Sequence, residues 1–129
     1  MKEKSKPKIM IVDSKASRRD SLASRFRLQG YYTDLSNSGF QALSQLEKDP
    51  EYKSLIVLGN SSDMSAAELI GLTREFRKKD ILQILFVDKK ADQEDVLEMF
   101  KIGANDYIVY SDKVFGTLLD KVEKFGLPG

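Results

Sequence analysis

Asp13 with Ser14, Asp88 with Lys89, and Tyr110 with Ser111 close three short apolar runs, and a fourth run closes at Gly59. Carboxylates and hydroxyls gathered in this way suit a hard divalent cation, or phosphoryl chemistry if a nucleophile and fixed positive charge accompany them. The set is incomplete for both tasks. Gly59 carries no nucleophile, Tyr110 no positive charge, and Ser14 adds a hydroxyl rather than a second carboxylate. The chain has no histidine and no cysteine, which removes Ser-His-Asp triads, His-ligated zinc, phosphohistidine carriers, disulfides and thiolate chemistry.

What would bring these residues together is the order of the elements that end in them. Lys8–Val12, Ser54–Leu58, Leu82–Val87 and Asp106–Val109 are short runs, mostly β-branched or aromatic, each separated from the next by a stretch with helical spacing. Tyr31–Leu35, diluted by Thr33 and Asp34, reads as a further strand at a sheet edge. After the first strand, Ser17 is a suitable N-cap for a helix with an apolar stripe of Leu22, Ala23 and Phe26 that stops at Gly30. Arg18, Arg19, Arg25 and Arg27 then read as its solvated face. Ser38–Lys48 places Phe40, Leu43 and Leu46 toward the sheet and stops before Pro50. Ser65 with Glu68 forms a capping box for a helix lined by Ala66, Leu69, Ile70, Thr73 and Phe76. Asp92 to Ile102, stopped by Gly103, is a fourth helix, and Val114, Phe115, Leu118, Leu119, Val122 and Phe125 give the fifth a broad buried face. Strict alternation of five strands and five helices predicts an α/β fold: a flavodoxin-like, doubly wound, five-stranded parallel sheet of order 2-1-3-4-5, with helices on both faces. Ligands of such sheets bind beyond the carboxyl ends of the strands, where Asp13, Gly59, Asp88 and Tyr110 fall.

The 129 residues suit one domain over 8–125, preceded by a basic arm (1–7) and followed by a tail or the start of a linker (126–129). A formal charge of +1 gives no reason to expect nucleic acid or an anionic membrane as partner. The lysines of the arm read as a solubilising tail. No apolar run approaches the roughly 20 residues that cross a bilayer, and the arm leads into too few apolar residues for a secretion signal. A cytoplasmic protein is expected. The Asp13–Ser17 turn lacks the glycine of a phosphate-cradling loop, and no P-loop or G-x-G-x-x-G occurs, so no cofactor is expected.

Several segments carry a more specific likeness. Ile9–Asp13, Gly30-Tyr31 followed by Gly39 and Ala42-Leu43, Ala91–Val96, and Gly103-Ala104-Asn105-Asp106-Tyr107 together resemble the response-regulator receiver domain of two-component signalling, over nearly the whole chain. The resemblance implies a phosphorylation site built from an acidic pair after strand one, an acceptor carboxylate ending strand three, a hydroxyl after strand four and a lysine after strand five. At those positions this sequence has Asp13-Ser14, Gly59, Asp88 and Tyr110. Asp63 lies four residues beyond Gly59, a reach of roughly 13 Å if extended, and reads as a helix-capping or loop residue. Asp13 remains the single candidate metal contact, and no metal site is expected. With no fixed positive centre foreseen, a phosphoryl group beside Asp13 and Asp88 would meet repulsion of about 4 kcal/mol per charge at 4 Å. Lys15 or Lys89 is considered as an internal cation that could pair with Asp13 or Asp88.

The expectation is therefore a degenerate receiver, not an enzyme, that cannot be phosphorylated conventionally and acts as a protein-interaction or regulatory module. By resemblance, its output face is formed by helix four, strand five and helix five, through Phe100, Lys101, Tyr107, Tyr110 and Lys113, with Tyr107 as the switch aromatic. A protein partner, an attached effector domain or a second copy would bind there. The alternatives are a phosphate-competent receiver using Asp88 or Asp63, and a small-ligand sensor using Asp13, Ser14, Asp88 and Tyr110.

Overall fold

Apolar residues facing both ways along the central strands demand cover on both sides of a sheet. The computed structural model, which describes residues 6–90 and 92–127, supplies it. Elements run β1 (Lys8–Asp13), α1 (Ala16–Leu28), β2 (Tyr32–Ser36), α2 (Gly39–Lys48), β3 (Tyr52–Leu58), α3 (Ala66–Arg74), β4 (Gln83–Asp88), α4 (Gln93–Ile102), β5 (Asp106–Val109) and α5 (Val114–Lys124). All strand pairs are parallel and the order is β2-β1-β3-β4-β5. Met10 and Val12 join Ala42, Leu46, Leu69, Ile70 and Met99 on the face covered by α2, α3 and α4. Ile9 and Ile11 join Leu22, Phe26, Phe115, Leu118 and Val122 on the face covered by α1 and α5. The alternation of β1 thus feeds two separate cores. β2, diluted by polar residues, is indeed an edge.

Three helices are capped by side chains at their starts, Ser65 as expected and Ser38 and Asp92 at residues read only as helix beginnings. The Ser38 hydroxyl accepts from the Gln41 amide, Ser65 from Glu68, and the Asp92 carboxylate from Glu94. The first helix departs from expectation: its N-cap is Lys15, which makes no side-chain cap, and Ser17 lies inside the first turn. Asp13 Oδ1 instead accepts from the Lys15 amide at 3.0 Å and steadies the turn. Three aromatic assignments are also corrected. Phe40 is 63% exposed, because Ala42 and Leu46 take the sheet-facing positions of α2. Phe76 lies past the end of α3 and is 37% exposed. Phe125 caps α5 half-buried rather than lining its core face. Of the arm and tail, residues 1–5 and 128–129 lie outside the described residues, as does Ala91 of the matched 91–96 segment.

The end of the sheet opposite the strand termini is tied by arginines. Arg74 donates to the carbonyls of Gly103 (2.8 Å), Leu82 (2.9 Å) and Arg77 (3.1 Å) and to Asn105 Oδ1 (2.6 Å). Burial, with only neutral acceptors around it, lowers its pKa to about 10, so it stays charged at neutral pH. Asn105 also accepts from the Ile84 amide at 2.7 Å. Arg77 donates to the carbonyls of Leu46 (2.6 Å) and Asp49 (2.8 Å), joining the ends of α2 and α3.

Candidate functional site

β1, β3, β4 and β5 end side by side, and a crevice of about 190 Å³ opens above them. Ser14, Gly59, Asp88 and Tyr110 line it, together with Arg18, Asn60 and Lys89. Ladder-like bonds extend past the strands: the Gly59 amide donates to the Val87 carbonyl (3.1 Å) and the Tyr110 amide to the Asp88 carbonyl (2.8 Å). Four of the five predicted positions therefore share one cavity. The fifth, Asp13, lies beneath it with its side chain fully buried.

Arg18 covers Asp13. Its Nε donates to Oδ2 at 2.6 Å and its Nη2 to Oδ1 at 2.9 Å, a two-pronged pair whose guanidinium side is 18% exposed. Arg19 Nη1 adds a bond to the Asp13 carbonyl at 3.1 Å. Both arginines lie in the first turn of α1, the positive pole of that helix, and no acidic residue stands there. The Asp13 carboxylate offsets this unfavourable placement. It also raises the already high pKa of Arg18 against the opposing effect of burial, with Asp88 acting in the same sense. The guanidinium carbon lies 5.3 Å from the Tyr110 ring centroid, a cation–π contact.

This corrects three expectations. The solvated-face reading holds for Arg25 and Arg27, which are exposed although Arg27 donates to the Thr33 carbonyl at 2.6 Å and Arg25 lies over the Phe115 ring at 4.2 Å, but not for Arg18 and Arg19, which are half-buried and hold Asp13. A fixed positive centre does exist at the strand ends. The cation that pairs with Asp13 is Arg18, whereas Lys15 and Lys89 contribute backbone amides, to Asp13 and Asp88 respectively. A helical wheel of α1 cannot reveal this, because the residues fold back over the preceding strand end. The missed signal was the Asp13-to-Arg18 spacing across a strand–helix turn.

Beyond β3, Gly59 has φ +69° and a side chain there would meet no heavy atom within 4 Å of its Cβ. Asn60 points the other way and caps α3, accepting from the Ala66 amide at 2.8 Å. Asp63 is a capping residue as expected, although the helix it caps is α2. It accepts from the Ser38 hydroxyl (2.7 Å), the Gly39 amide (3.0 Å), the Phe40 amide (3.1 Å) and the Ser61 hydroxyl (2.8 Å). These donors stabilise the ionised form and hold its pKa far below the usual carboxylate range. Met64 packs directly over Gly39, where a Cβ would come within 2.4 Å of its Cγ. The loop after β3 is thereby stapled to α2.

On the α4–β5–α5 side, Tyr107 is half-buried, edge-on to Phe86 at 5.1 Å, and its hydroxyl donates to the Lys90 carbonyl at 2.5 Å. Asp106 of β5 pairs with Lys121 of α5. Lys101 and Lys113 are exposed and Phe100 is half-buried. Tyr110, expected on this face, is 39% exposed, and Leu97 (55%) and Val109 (44%), which the resemblance did not imply, add exposed apolar surface.

The resemblance implies a divalent cation at this site. Both Asp13 oxygens are taken by Arg18 and the Lys15 amide, and one Asp88 oxygen by the Lys89 amide. Among the described residues no group of three acidic, histidine or cysteine side chains could hold a metal ion. A hard cation needs several anionic or carbonyl oxygens, and the residues here do not fit it.

A parallel sheet of order 2-1-3-4-5 with a crevice at the β1/β3 switch point defines the CheY-like, flavodoxin-type class. Comparison with known proteins narrows it. The chain is 34% identical over 107 residues to "Probable transcriptional regulator ycf27" of Pyropia yezoensis, covering 83% of this chain and 42% of that protein. It is 27% identical over 103 residues to the chemotaxis protein CheY homolog of Campylobacter jejuni, covering 79% of each. Response regulator protein TrrA of Thermotoga maritima, solved in complex with Mg²⁺-BeF, matches with a TM-score of 0.79 and 26% identity over 92% of this chain and 98% of that one. No family model matches the chain. The chain spans 42% of the length of that ycf27 relative. In sequence and fold it is therefore similar to response-regulator receiver domains. Among its described residues no helix is long and apolar enough to cross a membrane.

Proposed function

We propose that this receiver acts without phosphorylation, as a cytoplasmic, non-enzymatic module that regulates or localises a protein partner or an attached effector domain. The observation that carries the reading is the end of β3. Gly59 stands where the resemblance expects the acceptor carboxylate, and the next carboxylate along the loop, Asp63, is engaged by four donors at the start of α2. Asp88 replaces the hydroxyl and Tyr110 the lysine that would neutralise a transferred phosphoryl group. Arg18 does not make good the loss, since two of its donors are spent on Asp13.

The state of the output face is then set by the fold. Tyr107 is held by Phe86 on one side and by the Lys90 carbonyl on the other. With no phosphoryl-dependent hydroxyl to draw the ring, its placement is constitutive, or is changed only by a partner that binds one arrangement better. Leu97, Val109 and Tyr110, flanked by Lys101 and Lys113, offer that partner an apolar centre with a charged rim.

Incubation with a small phosphodonor and Mg²⁺, followed by intact-mass measurement, tests the reading. No adduct is expected. A stoichiometric gain of one phosphoryl group would overturn it. For the partner face, a binder captured by the wild-type chain is expected to be lost on Lys101→Glu or Tyr107→Ala substitution and kept on substitution of exposed residues of α2.

A further inference from the structure

We infer that Arg18 is a built-in counter-cation that occupies the Asp13 oxygens a divalent ion would need, so that the strand-end site is metal-independent by construction. Metal binding and Arg18 pairing exclude each other. The pairing is close on both prongs, at 2.6 and 2.9 Å, and Asp13 is otherwise sealed from water. A cation that brings its own covalent tether has no translational freedom to lose, whereas a free ion must be gathered from solution and stripped of water. The guanidinium also does something a solvated ion does not: its carbon lies over the Tyr110 ring, 5.3 Å from the centroid. Through it the end of β1 is joined to the residue that follows β5, and thus to the proposed output face. Arg18 acts as a positioning residue. It keeps Tyr110 in place and supplies the charge balance that Asp13 and Asp88 would otherwise seek from a metal.

Removing the guanidinium without adding bulk should expose what it suppresses. In an Arg18→Gln variant, Asp13, Asp88 and the Ser14 hydroxyl remain at the crevice. A Mg²⁺ ion commonly binds through one or two carboxylates while keeping several waters.

The test is a titration of the whole chain with millimolar MgCl₂, against NaCl of equal ionic strength, followed by the backbone amide signals of residues 13–15, 59–60, 88–89 and 110. The wild type is expected to show no Mg²⁺-specific shift, and Arg18→Gln a saturable shift at these amides. Tyr110 should move in the variant before metal is added, and Arg18→Lys, which keeps the charge but not the flat fork, should still exclude Mg²⁺. A saturable Mg²⁺ response in the wild type, or none in Arg18→Gln, would overturn the proposal. If Arg18→Gln is unfolded alone, Mg²⁺ is expected to restore its helical circular dichroism where NaCl does not, and failure to do so at saturation counts against the proposal. No phosphodonor enters the experiment, so its result is separable from that of the phosphorylation test.

Discussion

Replacing Arg18 by Met is the most informative single perturbation of this molecule. The change keeps an aliphatic stem against Tyr110 but leaves the Asp13 carboxylate, with no exposed side-chain surface, facing only the Lys15 amide. Breaking a buried ion pair from one side costs about 3–5 kcal/mol, because an uncompensated charge remains in a weakly polar place. Since 18% of the Arg18 side chain reaches solvent, water can partly replace it, and the lower figure of about 3 kcal/mol is appropriate. Unfolding entropy near 2.1 cal/mol/K per residue then makes this a fall in Tm of about 11 °C for a chain of 129 residues. Asp13→Asn in the Arg18→Met background removes the stranded charge, and most of the lost stability should return. Calorimetry of the four proteins of this cycle, at low and at high salt, checks the argument. A pair this buried should keep its coupling in salt that screens exposed charges beyond about 8 Å. A single-mutant loss under about 1 kcal/mol, the range of exposed pairs, would refute the reasoning. So would a double mutant no more stable than Arg18→Met.

Two further outcomes follow from other contacts. Gly103→Ala should destabilise the domain by about 1–3 kcal/mol, because the backbone there has φ +137° and a Cβ would come within 2.4 Å of Arg74 Cγ; urea denaturation of the variant reads this as a lower midpoint. Asp63 should govern part of the acid limb of stability. Its folded pKa lies below the unfolded value of about 3.9 because four donors favour the anion, so its contribution is fully present above the unfolded pKa and disappears as pH falls toward the folded one. The Tm gap between wild type and Asp63→Ala should accordingly be constant from neutrality to about pH 5 and shrink below about pH 4. A gap that widens in acid would contradict the capping role.

How far the amino-acid order announces this architecture depends on whether a signal is local. Strand positions were legible because Ile9–Val12, Leu55–Leu58 and Ile84–Val87 are continuous apolar runs, as buried parallel strands require. Ser65 announced its helix as a cap because that cap is satisfied within its own first turn, and the same local chemistry at Ser38 and Asp92 put those helix starts where they were read. The start of α1 was not legible. Its turn is steadied by Asp13 from the preceding strand, and its first-turn arginines fold back over that strand instead of facing solvent. Phe40 and Phe76 matched a helical apolar spacing, yet Ala42 and Leu46 took the sheet-facing positions of α2 and left Phe40 outward, and the early end of α3 left Phe76 beyond the helix and partly exposed. The composition of the strand-end site was readable residue by residue. Its charge balance was not, because the deciding partner comes from a helix whose rotation about its axis only tertiary packing sets.

The four-acceptor socket around Arg74 has a mechanical corollary. It joins the turn that ends α4 to the connection entering β4, whereas among the described residues the hydrogen bonds of the first turn of α4 run to its own cap, Asp92. α4 is therefore moored to the rest of the chain through its trailing end, at Gly103, by bonds its leading turn lacks.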